Sequence, residues 1–127
     1  MDTTFLIDAD RAAETIEALV ADDDDVAIAA VTVAELRVGV ELATGRRKVA
    51  RRAFVDDVVD QIPVLSYDLA VAEAHARLLV AVRRRGVPRG AHDLIIAATA
   101  VSGGRSVLSA DQRGFADLPG VVVLTHP

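Results

Sequence analysis

Four acids stand where a carboxylate could do chemistry: Asp8, Glu35, Asp93 and Asp111. Asp8 closes the apolar run Thr3-Thr4-Phe5-Leu6-Ile7, and Asp111 follows the run Ser106-Val107-Leu108-Ser109. Each is an acid at the end of a short buried strand. Glu35 and Asp93 instead fall in the first turns of segments with helical character. A capping acid would explain either one alone: Thr32-Val33-Ala34-Glu35 reads as a capping box, and Asp93 complements a helix dipole. Four carboxylates together are another matter, because like charges repel unless cations lie between them. The chain has no cysteine, and its three histidines, His75, His92 and His126, lack zinc spacing. Any metal is therefore held by oxygen, the ligand preferred by Mg²⁺ and Mn²⁺. Such a site can activate a water and stabilise the leaving oxygen of a phosphodiester.

The elements that must position these acids alternate along the chain. Strands are expected at 3–7, 26–29, 62–65, 106–109 and 121–124. Helices are expected over 11–21, from 32 to Gly45, through the basic segment to about Val55, over 69–85, and from Asp93 to the Gly103-Gly104 pair. The last of these is apolar almost all round, from Leu94 to Val101, so it belongs in the middle of a domain, and Gly103 can end it in the left-handed conformation. Ser66 or Asp68 can cap the helix before it, which Gly86 closes. This order describes an α/β fold: an open, mostly parallel sheet flanked by helices. In such a sheet, strand C-termini and the N-termini of the helices that follow share one edge, and the four acids can meet there.

At 127 residues the chain is read as a single domain, 1–127, with a core of aliphatic side chains, since 52% of it is hydrophobic and only 3% aromatic. It carries no apolar run long enough to span a bilayer and no secretory leader, so a cytoplasmic protein without a membrane partner is expected. The net charge of −5 opposes nucleic-acid binding only as a sum. Arg46, Arg47, Lys48, Arg51 and Arg52 lie in one segment and Arg83, Arg84, Arg85 and Arg89 in another, whereas Asp22 to Asp25 form an acidic block. Basic and acidic surfaces are segregated. Arg37, Arg46, Arg47, Arg51, Arg52 and Arg89 are the candidate contacts for nucleic-acid phosphates. Each basic run is also what a solvated helix face would show.

Four short motifs in this order resemble the PIN-domain nucleases, and among them the VapC toxins of bacterial toxin–antitoxin pairs. They are Phe5-Leu6-Ile7-Asp8, Thr32 to Gly39 around Glu35, Asp93-Leu94-Ile95-Ile96-Ala97-Ala98, and Ser109-Ala110-Asp111 with Gly114-Phe115 and Leu118-Pro119-Gly120. The resemblance spans about Thr4 to Leu124. It implies a PIN-like α/β/α sandwich and an endoribonuclease dependent on Mg²⁺ or Mn²⁺. It further implies a homodimer, silenced by a VapB-like antitoxin that inserts a segment into the active site. By position, Asp8 and Asp93 would be the principal metal ligands, with Glu35 and Asp111 completing the catalytic set. Two departures stand out. The family commonly has Ser or Thr directly after its first acid, where this chain has Ala9, and Ser109 stands where Thr is usual. Asp10 and Asp117 are nearby acids that could substitute for a missing ligand.

Two other readings compete. Asp8-Ala9-Asp10 is the D-x-D of aspartyl phosphatases, but Ala12 and the position of the lone lysine, Lys48, do not fit that chemistry. A catalytically weak PIN-like binding module is the non-enzymatic alternative, with Ala9 as its motive.

Overall fold

Residues 1–2, 26–86, 88–109 and 112–124 are described by the structure, a computed structural model. The expected first strand, the helix over 11–21, the acidic block at 22–25, and Asp8, Ala9, Asp10, Asp111 and His126 lie outside the described residues.

Among the described residues, two parallel strand pairs carry the fold. β1 (Ile28–Ala29) pairs with β2 (Val64–Leu65), Ile28 opposite Val64. β3 (Val107–Leu108) pairs with β4 (Val123–Leu124), Val107 opposite Val123. Residues 1 and 2 hydrogen-bond to both pairs. The Met1 ammonium donates to Ala27 O at 3.0 Å on one side, and Asp2 N donates to Leu108 O at 2.9 Å on the other. Successive N–H groups pointing to opposite neighbours is what a strand between two others does. The hydrogen-bonded order is thus β2, β1, residues 1–2, β3, β4. Pro63 stands just before β2, where its missing N–H costs no ladder bond, and its carbonyl accepts from Ile28 N at 3.0 Å.

Among the described residues, four helices follow from the apolar patterning. α1 (Ala30–Leu42) and α2 (Gly45–Gln61) form the expected hairpin. Thr32, Leu36 and Val40, spaced by four, make the buried stripe of α1, and Val55 and Val58 face them from α2. α3 (Leu69–Arg85) begins at Asp68, whose Oδ1 accepts from Val71 N at 3.0 Å, and ends at Gly86 in the left-handed conformation. α4 (Ala91–Ser102) is the central helix, with Leu94, Ile96, Ala97, Ala98 and Ala100 all buried. Its alanines let α3 pack close, and Val71, Ala74 and Leu78 complete that core with Val107, Phe115 and Leu118. Burying a side chain such as Leu94 contributes about 1.5–3 kcal/mol. Among the described residues no helix is long and apolar enough to cross a membrane.

Two expectations about helix ends are corrected. α1 starts at Ala30 with no side-chain cap hydrogen bond, so the capping box of Thr32 and Glu35 does not form. The reason is that β1 runs directly into the helix, and Thr32 turns its side chain into the core. At the end of α4, Gly103 has φ −95° and it is Gly104, at φ 65°, that turns left-handed. Three N–H groups, from Gly103, Gly104 and Arg105, close the last turn on Thr99, Ala100 and Val101 carbonyls.

Candidate active site

Asp2 is 2% exposed. Its Oδ2 accepts a hydrogen bond from Ser109 Oγ at 2.7 Å, and Ser109 is itself fully buried at the end of β3. A buried carboxylate is costly unless it is paired, so this contact explains why a hydroxyl is wanted at 109. Next to it, burial holds the Met1 ammonium below its ordinary pKa; Asp2 opposes that shift and Arg105 adds to it. Asp2 therefore lies between β1 and β3, beside the C-terminal end of β3. Sequence reasoning passed over Asp2, although a signal was present. The hydroxyl residue that fails to follow Asp8 does follow Asp2, as Thr3.

Glu35 lies on the second turn of α1, released from any capping duty. Its Oε2 is 3.4 Å from Nδ1 of His92, in the first turn of α4 and directly before Asp93. The structure thus brings together the N-terminal parts of α1 and α4, and gives His92 a partner that the sequence did not suggest. Asp93 itself is packed between two glycines. A Cβ built on Gly90 would stand 3.3 Å from its Oδ2, and one built on Gly114 would stand 3.0 Å from its carboxyl carbon and nearer still to Oδ2. Asp93 is therefore tied to the 3₁₀ turn Gln112–Gly114, which follows β3. Glu35 thus meets the first turn of α4, which carries Asp93, while Asp2 lies beside the end of β3.

Among the described residues no three acids or histidines converge into a ready ligand cage. The residues present nevertheless fit an oxygen-bound cation. The donors are hard carboxylates, the Asp93 carboxylate rests in a cradle that a side chain would fill, and the Thr32 hydroxyl, buried one helical turn from Glu35, has no hydrogen-bond partner among the described residues. A buried orphan hydroxyl costs about 1–3 kcal/mol and asks for a reason.

The arginines divide. Arg46, Arg47 and Arg52 are exposed on α2. Arg37 pairs with Asp56 across the hairpin at 2.8 Å, a surface pair worth at most about 1 kcal/mol. Arg51 donates to Gly39 O at 3.3 Å. Arg89 is held by backbone carbonyls. Its Nη1 donates to Pro88 O at 3.2 Å and its Nη2 to Ala116 O at 2.9 Å, while its Nε is buried, so the guanidinium fastens two loops together.

Comparison with known proteins agrees with this architecture. The family model of the PIN domain matches residues 1–121. Ribonuclease VapC4 of Mycobacterium tuberculosis is 37% identical over 98 residues, covering 77% of this chain and 75% of that protein. The tRNA(fMet)-specific endonuclease VapC of Salmonella typhimurium is 30% identical over 94 residues, covering 74% and 70%. The crystal structure of DNA-bound VapBC from Salmonella typhimurium aligns with a TM-score of 0.86 at 26% identity, over 98% of this chain and 94% of that one. The chain belongs to the PIN-domain family, among its VapC ribonucleases.

Proposed function

We propose that this chain is an endoribonuclease dependent on Mg²⁺ or Mn²⁺, the toxin of a VapBC-type pair, acting in the cytoplasm as a homodimer of single-domain protomers. The observation that carries the reading is the contact of Glu35 with His92, which joins it to the first turn of α4 that carries Asp93; to the same edge we assign Asp2, buried against Ser109 at the end of β3. A bound divalent ion there supplies charge that activates water and offsets the leaving oxygen. Asp2 and Asp93 hold it, with Asp111 as a further ligand. Glu35 orients the attacking water and takes its proton, and His92 beside it receives or relays that proton. Asp2 takes the strand-tip role first read for Asp8, a reading supported by the Ser109 hydrogen bond, by Thr3, and by a family match that begins at residue 1.

The substrate is structured RNA. Transfer RNA is the first class to test, since one relative is a tRNA(fMet)-specific endonuclease. With few aromatic side chains to stack on bases, the protein reads backbone and shape, through Arg46, Arg47 and Arg52 with Arg37 and Arg51 beside them. The antitoxin lies along α1. Glu35, Val38 and Leu42, at i, i+3 and i+7, lie along one side of that helix, and Val38 and Leu42 are 56% and 80% exposed. A VapB-like segment covering that stripe also covers the acid.

The assignment is tested by cleavage of tRNA with Asp2→Asn and Asp8→Asn variants. Asp2→Asn is expected to lose at least about a hundredfold in rate, and Asp8→Asn to keep it. The opposite pattern returns the strand-tip role to Asp8.

A further inference from the structure

Gly114 is a glycine for reasons of space, not of backbone conformation. The glycines with positive φ are 45, 86, 104 and 120, so at 114 any L residue could adopt the backbone. What excludes a side chain is the Asp93 carboxylate, whose carbon would lie 3.0 Å from a Cβ there and whose Oδ2 would lie nearer. Real Cβ atoms do not approach that closely, so an added methyl must move either the loop or the acid. The loop is held. Phe115 and Leu118 are buried in the core beside it. Arg89 donates to Ala116 O at 2.9 Å and to Pro88 O at 3.2 Å, fastening the turn to the lead of α4. With the turn so held, the added methyl bears on the Asp93 carboxylate.

We infer that Gly114 is a positioning residue: its bare backbone, held by Arg89 and Phe115, sets the orientation of the Asp93 carboxylate. The inference rests on Asp93 being a metal-holding acid, as proposed above. The outward face of that carboxylate is then the one offered to the cation, and a side chain at 114 turns it away. Arg89, read from sequence as an RNA contact, belongs to this device instead.

The test compares the whole protein with Gly114→Ala, Asp93→Ala and the double variant, by calorimetric titration with Mn²⁺ in the absence of RNA and by thermal melting. Gly114→Ala is expected to bind Mn²⁺ at least about tenfold more weakly and to melt lower. The melting loss is expected to vanish in the Asp93→Ala background, where the methyl finds room. Parental Mn²⁺ affinity in Gly114→Ala overturns the inference, as does a melting loss that persists undiminished in the double variant. If Gly114→Ala does not fold, the double variant decides. Folding to the stability of Asp93→Ala supports the contact, and failure to fold overturns it. Parental Mn²⁺ affinity in Asp93→Ala would instead refute the metal-holding role of Asp93, leaving the melting comparison to judge the contact itself.

Discussion

The Thr32 hydroxyl illustrates how a single atom can separate stability from function. It is fully buried in α1 and has no hydrogen-bond partner among the described residues, so in the protein without RNA it is a net cost. Thr32→Val keeps the shape and removes the orphan, and should raise stability by about 1 kcal/mol. A urea unfolding series checks this, and an equal loss of stability would mean that the hydroxyl has a partner. Among the acids, Glu35 and Asp93 were legible because each sits beside an apolar pattern that fixes its helix. Asp2 was not, because one residue before it and a polar pair after it present no run for periodicity to detect. The hydrogen bonds from Met1 to Ala27 and from Asp2 to Leu108 reveal that it lies between strands.

Helix α1 carries on one side the core stripe Thr32, Leu36, Val40 and on another the exposed stripe Val38, Leu42 that begins at Glu35. Leu42 is 80% exposed, so Leu42→Asp should change stability by no more than about 0.5 kcal/mol. It should nonetheless weaken antitoxin binding by about tenfold or more, as loss of an apolar anchor does, while leaving RNA cleavage by the antitoxin-free protein unaltered. Binding measured by titration with the cognate antitoxin decides, and unchanged affinity removes the stripe from that interface. The hairpin, α3 and α4 were all legible from the 3.6-residue patterning and from Asp68 and Gly86. Their exact ends were less so. A cap motif such as Thr32 to Glu35 has meaning only where the helix begins, and here β1 leads straight into a helix that starts two residues earlier.

For the molecule as a whole, the parallel order of strands could be inferred from sequence, but which strand lies between which could not, since pairing is a long-range choice. The amino terminus inside the sheet has a consequence for pH. Burial lowers the Met1 ammonium pKa in the folded state, so the unfolded chain holds that proton to higher pH. Stability should therefore rise as pH rises through the folded value toward the ordinary value near 8. Urea midpoints from pH 6 to 8 check this, and the component should be absent after acetylation of the amino group; an identical slope in both forms contradicts it. The central claim, that carboxylates gathered at one sheet edge cut RNA with a divalent ion, has a direct test. Antitoxin-free protein and its Asp93→Asn variant are given a panel of structured RNAs with Mg²⁺, with Mn²⁺ and with chelator. The account predicts cleavage by the parent that chelator abolishes and that Asp93→Asn lacks; cleavage that survives chelator, or that Asp93→Asn performs equally, contradicts it.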